Sequence, residues 1–447
     1  MTKLTLQDST LYDNEPKETS KASKEMNAVD ALRCQYENGF VNCLHLTDEE
    51  NAREVKDCPV WYEIKGGKTY FYTSHYVGSW KVNNVLINII PRFGIISRLL
   101  SYALHIYLPE KDMLIEKEND TPNIIALMWR VLLQRAIQNG NIPRSYISEI
   151  KNIRNFKGRL DVKKQVKYNI ANKSKFYCSY RHITFDNLIN KTVLYTYEML
   201  KQEKNVANVT KALSAHINKL YELKVCPIKQ LQPSMLDSIT YTQMSLCYKP
   251  FISLCKMLIE QQGKKCKDNL LCGFSFFIDI AELWEQALLN ILKEGLADEP
   301  FIDVYSPNQT GGEYLTTDGY RQVRPDIIIK KENKIAIIID AKWKRYKEFG
   351  ATDCQGGVNR DDLYQMMTYL YHYARADDKV MGLFVAPTLQ KGIPPDVHQL
   401  TNSQHSIGLL NLNFSDEEEN NFVQKKIAFI KQIKLSLIHI SEPTRRS

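Results

Sequence analysis

The sequence contains no apolar run approaching the roughly 20 residues that a membrane-spanning helix requires. Its ten cysteines include no Cys-x-x-Cys pair, and the spacing of Cys34, Cys43, His45 and Cys58 matches no zinc-binding pattern. No secretory signal peptide is recognisable at the beginning of the chain. We therefore expect a cytoplasmic protein with reduced thiols and no attachment to a membrane.

A complete phosphate-binding loop is also missing. Gly67-Lys68-Thr69 matches the end of such a loop, but Tyr62 stands where its first glycine is required. The tripeptide also falls within a predicted hairpin with a glycine turn over 61–72, whereas a phosphate-binding loop connects a strand to a helix. We therefore expect that this chain does not bind its own nucleotide.

Composition and charge exclude few classes of protein. The chain has 44% hydrophobic and 25% charged residues, which are ordinary values for a globular protein. Its formal net charge of +8 is compatible with a polyanionic partner but does not require one. With 447 residues, the chain is long enough for roughly two or three domains.

The most informative stretch contains two runs rich in β-branched residues, 324–329 (Arg-Pro-Asp-Ile-Ile-Ile) and 335–342 (Ile-Ala-Ile-Ile-Ile-Asp-Ala-Lys). A short polar segment separates them, and this pattern predicts a β-hairpin. Asp326 stands at the head of the first strand. Asp340 and Lys342 stand at the end of the second, two positions apart, so they should point to the same face.

A carboxylate on each strand and a nearby lysine are the minimum set for metal-assisted hydrolysis of a phosphodiester. Carboxylates bind Mg²⁺, the metal lowers the pKa of a bound water, and a lysine offsets the charge that develops on the phosphate. The alternative is a hairpin with these side chains on its surface. The site is favoured because the strand before Asp340 is otherwise apolar, where a carboxylate is costly without a partner or a task.

These residues carry a resemblance to a known superfamily. The Pro-Asp pair at 325–326, followed by Asp-Ala-Lys at 340–342, resembles the signature of the PD-(D/E)xK nucleases. The resemblance implies an α/β domain in which Asp326 and Asp340 bind Mg²⁺ and Lys342 assists the attacking water.

The same superfamily often supplies a glutamate from the helix that precedes the hairpin. A helix is predicted over 276–296, and its Leu-Trp-Glu at 283–285 resembles the Leu-Phe-Glu of McrC-like chains. This resemblance implies that Glu285 is an outer or water-mediated metal ligand, and Glu282 should point away from the buried face. The alternative for Glu285 is a solvent-facing residue beside the core.

Two further segments carry the resemblance. Asp-Leu-Tyr-Gln at 362–365 resembles the helix after the hairpin in this family, where a glutamine approaches the metal-bound water or the phosphate. The resemblance implies this role for Gln365. Gly-Arg-Leu at 158–160 and Phe-Asp-Asn-Leu-Ile-Asn at 185–190 look like the middle region of McrC. The resemblance is specific over about 272–390, looser over about 85–200, and absent from residues 1–60.

Membership of the McrC-like family implies a role in modified-cytosine restriction. Such subunits cut DNA only with a hexameric AAA+ GTPase partner, McrB, which recognises the modified DNA and translocates. The N-terminal part of McrC-type subunits stimulates the GTPase. The resemblance therefore implies three partners or cofactors for this chain: DNA, an McrB-like hexamer and Mg²⁺.

The predicted organisation has five parts. We expect a disordered lead-in at 1–28, a small β-rich domain at 29–95, and a helical middle domain at 96–265. A nuclease domain at 266–436 should contain a mixed sheet flanked by helices. Residues 437–447 resemble a translated sequencing-adapter read-through, and we expect them to be a non-native tail.

A basic stretch at 151–181 admits two interpretations. Ten cations stand there against Asp161, and aromatic residues are interleaved with them. The stretch could contact a phosphate backbone, or it could be an ordinary solvated surface.

Two other functions are compatible with the sequence. One is a catalytically silent DNA-binding or regulatory adaptor with a nuclease fold, although such proteins usually lose the acid or the lysine, and this chain keeps Asp326, Asp340 and Lys342. The other is a free-standing DNA-repair nuclease, which would cut without a GTPase.

Overall fold

The structure is a computed structural model, and the chain forms two compact units. The first unit combines Met1–Ile124 with Asp268–Ser447, and the second is Ile125–Lys267. The structure describes residues 2–9, 17–19, 23–37, 43–44, 58–82, 85–93, 96–105, 122–171, 174–201, 211, 213–265, 276–346, 357–374, 378–388, 395–414 and 419–441.

Strands occur in both units. In the described residues they are β1 (Thr2–Gln7), β2 (Lys17–Thr19), β3 (Cys43–Leu44), β4 (Val60–Lys65), β5 (Lys68–Thr73), β6 (Tyr76–Val82), β7 (Val85–Ile90), β8 (Ser145–Ile153), β9 (Arg159–Leu160), β10 (Phe176–Thr184), β11 (Phe276–Asp279), β12 (Ile302–Tyr305), β13 (Glu313–Tyr314), β14 (Gln322–Val323), β15 (Ile327–Lys331), β16 (Lys334–Ala341), β17 (Met381–Thr388), β18 (Asp396–Gln399) and β19 (Ser406–Asn413).

Helices are also found in both units. In the same part of the chain they are α1 (Ser23–Glu37), α2 (Ile96–Ala103), α3 (Pro122–Asn139), α4 (Val162–Asn169), α5 (Leu188–Lys201), α6 (Ser214–Glu222), α7 (Pro233–Leu236), a 3₁₀ turn (Leu246–Tyr248), α8 (Lys249–Lys265), α9 (Ile280–Gly295), α10 (Pro307–Thr310), α11 (Arg360–Tyr373) and α12 (Glu419–Ser441).

The N-terminal sheet has the strand order β1-β7-β6-β11-β3. β1 runs parallel to β7, and its inward side chains Leu4 and Leu6 are buried. The predicted disorder of 1–28 is therefore wrong for the strand over Thr2–Gln7. The apolar and polar residues of this strand alternate over only a few positions. The residues around it are mostly polar, so the alternation does not stand out in the sequence.

β4 and β5 form an antiparallel hairpin, which confirms the strands predicted over 61–72. Gly66 and Gly67 occupy its turn with positive φ angles of 59° and 77°. Gly67-Lys68-Thr69 therefore lies in a turn and a strand, which is not the context of a phosphate-binding loop.

The sheet that carries the hairpin has the order β12-β15-β16-β17-β19-β18. β16, β17 and β19 are parallel, whereas β12, β15 and β18 pair antiparallel with their neighbours. Helices α9, α11 and α12 pack against β16. The prediction of a mixed sheet flanked by helices is confirmed.

The helix predicted over 276–296 begins later than expected, at Ile280. Asp279 caps it, because its Oδ1 accepts hydrogen bonds from the backbone N–H groups of Ala281 and Glu282. The preceding residues form β11, which pairs with β6 and β3. The N-terminal sheet therefore continues directly into α9, and the predicted domains at 29–95 and 266–436 belong to one unit.

The second unit contains most of the predicted helical middle domain, 96–265, but also a sheet of order β8-β10-β9. This sheet was not predicted, and it contains Lys151, Arg159 and Arg181 of the basic stretch 151–181. Most side chains of β8 and β10 are partly or fully exposed, so no apolar face repeats in the sequence to reveal the strands.

The last helix, α12, continues into the predicted tail 437–447. Leu437 is 2% exposed, and the carbonyl of Leu437 accepts a hydrogen bond from Nζ of Lys331 at 3.5 Å. The start of the predicted tail is thus part of the helix, and 442–447 lie outside the described residues. Across the described ranges, no helix has both the length and the apolar character needed to cross a bilayer.

Candidate active site

The candidate site lies at the end of the β15/β16 hairpin opposite its turn. The strands are antiparallel with Ile327 opposite Ile339, so one further step in this register sets Asp326 opposite Asp340. A two-residue turn with positive φ angles joins the strands. The predicted hairpin is confirmed, and it brings its two carboxylates together across neighbouring strands.

Asp340 and Lys342 point to the same face, as their spacing predicts. Nζ of Lys342 lies 2.8 Å from Oδ2 of Asp340, and the side chain of Asp340 is only 2% exposed. The backbone N–H of Lys342 donates to the carbonyl of Val385 at 2.9 Å, which extends the pairing of β16 with β17. The backbone that carries the lysine is therefore fixed by the sheet.

The ammonium group of Lys342 contacts two further acceptors, both from α11. It donates to Oε1 of Gln365 at 2.8 Å and lies 3.3 Å from Oδ1 of Asp362. Burial disfavours the charge, but the carboxylates of Asp340 and Asp362 outweigh it and raise the pKa of Lys342 above its ordinary value of 10.5. The group is therefore a fixed positive charge at neutral pH, suited to orienting and neutralising an anion.

Asp326 stands in a crowded group of acids. Its Oδ2 accepts a hydrogen bond from the backbone N–H of Ala341 at 2.7 Å. Burial, followed by repulsion from Glu285 and Asp340, raises the pKa of Asp326 well above its ordinary value of 3.8, although Lys342 and the bond from Ala341 act in the opposite direction. A cation placed between these carboxylates would relieve the repulsion.

Glu285 reaches this group from α9 and is partly buried. Its charge raises the pKa of Asp326 and also that of Tyr369, so it acts on the same site as the hairpin carboxylates. Glu282 was expected to point away from the buried face, and this prediction is wrong, because Glu282 is only 8% exposed. α9 packs against α2 as well as the sheet, so its buried surface is wider than one stripe.

Gln365 links the lysine to a buried tyrosine. Its Nε2 donates to the hydroxyl of Tyr369 at 2.8 Å, and that hydroxyl donates to the carbonyl of Arg324 at 3.1 Å. Burial is the main cause that raises the pKa of Tyr369, so the phenol keeps its proton. The amide of Gln365 is therefore held at both ends, with its oxygen on Lys342.

Sequence reasoning missed three residues beside this site: Asp362, Lys344 and Tyr346. Oδ2 of Asp362 accepts hydrogen bonds from Nζ of Lys344 at 2.7 Å and from the hydroxyl of Tyr346. The sequence contains two signals of these residues. Asp362 belongs to the same Asp-Leu-Tyr-Gln segment as Gln365. Lys344 lies two positions after Lys342, which is the spacing of residues that share one face of a strand. Asp362 thus contacts Lys342, Lys344 and Tyr346 together.

The carboxylates at this site fit a divalent cation that is bound partly by the protein and partly by water and a substrate phosphate. Oδ2 of Asp340 is buried, and among the described residues no group meets it with hydrogen-bond geometry, although Lys342 lies close to it. Nor do three or more His, Cys, Asp or Glu side chains enclose a common point in that part of the chain. Mg²⁺ is usually bound by one or two carboxylates with waters and substrate phosphates, so an open pair such as Asp326 and Asp340 suits it.

Comparison with known protein families gives a match over residues 72–385, which is more than half of the chain, to the McrBC 5-methylcytosine restriction system component. The chain belongs to this family. The matched region includes every residue of the candidate site, from Glu285 to Gln365. The resemblance to McrC inferred from the sequence motifs is confirmed.

Solved structures resemble this McrBC-family chain as well. One is a refined half-complex from a tetradecameric assembly of Thermococcus gammatolerans McrB AAA+ hexamers with bound McrC, with a TM-score of 0.59 and 16% identity, covering 97% of this chain and 100% of the other. Another is the cryo-EM structure of the McrBC complex of the same organism, with a TM-score of 0.40 and 17% identity, covering 66% of this chain and 89% of the other. The first similarity supports a common fold. A comparison with curated proteins gives no match.

Proposed function

We propose that this chain is the DNA-cleaving subunit of a GTP-dependent, modification-dependent restriction system in the cytoplasm. It would be a Mg²⁺-dependent endonuclease of the PD-(D/E)xK type. The observation that carries the proposal is the meeting of Asp326, Asp340 and Lys342 at the end of one hairpin, with the lysine 2.8 Å from the second acid. Membership of the McrBC family supports the same conclusion.

In this proposal, Asp326 and Asp340 hold the metal, and Glu285 is an outer or water-mediated ligand. Bound there, Mg²⁺ would polarise the scissile phosphate and lower the pKa of a water molecule. The chain's own contribution is a pair of carboxylates already held across neighbouring strands. Asp326 is fixed by Ala341, and Asp340 is fixed by the end of β16.

Lys342 has an electrostatic role in this reaction. Its charge is maintained by Asp340 and Asp362, so it orients the attacking water and offsets the negative charge that grows on the phosphate. Gln365 keeps the ammonium group in place through its oxygen. In this role neither side chain gains or loses a proton.

The proposed partner is a hexameric McrB-like AAA+ GTPase. The solved structure with the higher similarity is described as McrB AAA+ hexamers with bound McrC, and this supports the assignment of a similar partner here. In this proposal the partner hydrolyses GTP and moves along DNA. This chain cuts the DNA and stimulates the GTPase activity of the partner.

The experiment is cleavage of modified plasmid DNA by the purified chain with the partner, GTP and Mg²⁺. We expect wild type to cut only in the presence of the partner, and Lys342→Ala to lose cleavage by about 100-fold or more. Lys334→Ala, at the exposed start of the same strand, is the matched control and should cut normally.

Three results would contradict the proposal. Cleavage by wild type without a GTPase would favour a free-standing repair nuclease. No cleavage by wild type under any condition would favour a silent adaptor. Full cleavage by Lys342→Ala would exclude this site.

A further inference from the structure

The residue after Lys342 is bound by the N-terminal sheet. The indole of Trp343 is 4% exposed, and its Nε1–H donates to Oδ2 of Asp8 at 2.6 Å. The carbonyl of Trp343 accepts a hydrogen bond from Nη2 of Arg92 at 2.5 Å. Phe93 meets the indole edge-on, with ring centroids 5.2 Å apart. Residues that follow β1 and β7 thus hold both the side chain and the backbone of Trp343.

Asp8 and Arg92 are themselves fixed. The side chain of Asp8 has no exposed surface; its Oδ1 accepts from the backbone N–H of Arg92 at 2.6 Å, and its Oδ2 accepts from the hydroxyl of Ser9 at 2.9 Å. Nε of Arg92 lies 3.7 Å from Oδ2 of Asp8. The backbone N–H of Asp8 donates to the carbonyl of Ile90 at 3.0 Å, which anchors the pair to the sheet.

Asp8 and Arg92 follow two paired strands of one sheet, and burying their ion pair costs free energy. Apolar side chains of similar volume would pack against Trp343 without the cost of removing two charges from water. The ion pair provides a defined direction instead, because it fixes the indole N–H and the carbonyl of one residue. On the other side, the backbone N–H of Lys342 is fixed by Val385. The chain is therefore held at the backbone N–H of Lys342 and again at the next residue, Trp343.

We propose that Asp8 and Arg92 are positioning residues for Lys342 and act through Trp343. The N-terminal sheet then helps to set the geometry of the nuclease site. The catalytic meaning of this inference rests on the proposed function. The same sheet also leads into α9, the helix that carries Glu285, through β11. One sheet therefore sets the position of the lysine and of the outer acid.

The test compares two tryptophan variants that each lose one hydrogen bond. Trp343→Phe loses the bond to Asp8 and keeps an aromatic ring. Trp80→Phe also keeps a ring but loses a different bond, because the indole of Trp80 on β6 donates to Oε1 of Gln35 on α1 at 2.7 Å. With partner, GTP and Mg²⁺, we expect Trp343→Phe to lower kcat roughly 10- to 100-fold with KM for DNA unchanged, because small misplacements of catalytic groups cost that much. Trp80→Phe should keep kcat within about twofold.

A second readout does not depend on cleavage. The rate at which acetic anhydride modifies Lys342, followed by peptide mass spectrometry, reports how tightly its ammonium group is held. We expect this rate to rise about tenfold in Trp343→Phe and in Asp8→Asn, and to stay unchanged in Trp80→Phe. The rate at Lys331 in the same sheet should not change in any variant, which separates local release from unfolding.

Both substitutions act on the bond between Asp8 and Trp343, so the loss of kcat in the double variant Asp8→Asn/Trp343→Phe should be smaller than the product of the two single losses. Unchanged kcat and unchanged modification of Lys342 in Trp343→Phe would overturn the inference, as would equal effects in Trp80→Phe. If wild type does not cleave but the modification pattern holds, the proposed function fails and the positioning of Lys342 stands.

Discussion

Nζ of Lys342 lies 2.8 Å from Oδ2 of Asp340, its neighbour on the same face of β16. The same ammonium group also contacts Asp362 and Gln365, which both come from α11. Before any substrate binds, the lysine therefore has one hydrogen-bond acceptor, Gln365, and two carboxylates within ion-pair distance. Such preorganisation is what electrostatic stabilisation of a phosphoryl transition state requires.

Asp326→Asn should lower cleavage without lowering the stability of the fold. The carboxylate of Asp326 is repelled by Glu285 and Asp340, whereas asparagine keeps an oxygen for the N–H of Ala341. Without metal, we expect the thermal midpoint to hold or rise, reflecting relief of about 1 kcal/mol of repulsion. Cleavage should fall by about 100-fold or more. Circular dichroism and plasmid cleavage check the two parts, and an unfolded variant would contradict the account of the crowded acids.

Gln365→Leu should weaken catalysis and leave the fold intact. The change removes the acceptor for Lys342 and the donor to Tyr369, while keeping a side chain of similar size. We expect the rate of cleavage to fall about tenfold. Tyr364→Phe, at an exposed position on the same helix, is the control and should cut at the wild-type rate. Equal rates for both variants would remove Gln365 from the site.

Asp362→Asn should lower stability in a pH-dependent way. Burial raises the pKa of Asp362, but Lys342 and Lys344 outweigh this and hold the pKa below its ordinary value of 3.8. The folded chain therefore binds fewer protons than the unfolded chain in acid. The stabilisation that the charge of Asp362 provides is complete above about pH 4, and it is lost as the pH falls through the pKa of Asp362 in the folded chain.

The free energy of unfolding of Asp362→Asn should be about 3 kcal/mol below that of wild type at pH 7, because removal of one partner leaves buried charge behind. The difference should shrink at pH 3. Urea unfolding at both pH values measures it, with Asp361→Asn, at the exposed neighbouring position, as the control. A difference that is independent of pH would contradict the assignment of Asp362 as an ionised partner of Lys342.

The hairpin and its D-x-K end could be predicted from the sequence because their signals are local. β-branched runs, a polar turn and a two-residue spacing fixed the strands and the shared face of Asp340 and Lys342. The resemblance to McrC added Glu285 and Gln365, which the spacing alone does not connect to the hairpin. The structure then brings both side chains into contact or electrostatic range with that site.

The missed features depend on contacts between distant segments. β1 is too short to stand out, and β11 lies directly before a helix whose apolar pattern extends over it. Trp343 donates to Asp8 and accepts from Arg92, and these bonds join positions that are hundreds of residues apart in sequence. No periodicity in a single window carries such information, so only the tertiary structure reveals it.

The most direct measurement is Mg²⁺-dependent cleavage of modified plasmid by Asp340→Asn, with the partner and GTP present. The matched control is Asp303→Asn, an exposed acid on β12 of the same sheet. The account predicts no cleavage by Asp340→Asn at any Mg²⁺ concentration, wild-type cleavage by Asp303→Asn, and unchanged stimulation of the partner's GTPase by both. Cleavage by Asp340→Asn at the wild-type rate would contradict it.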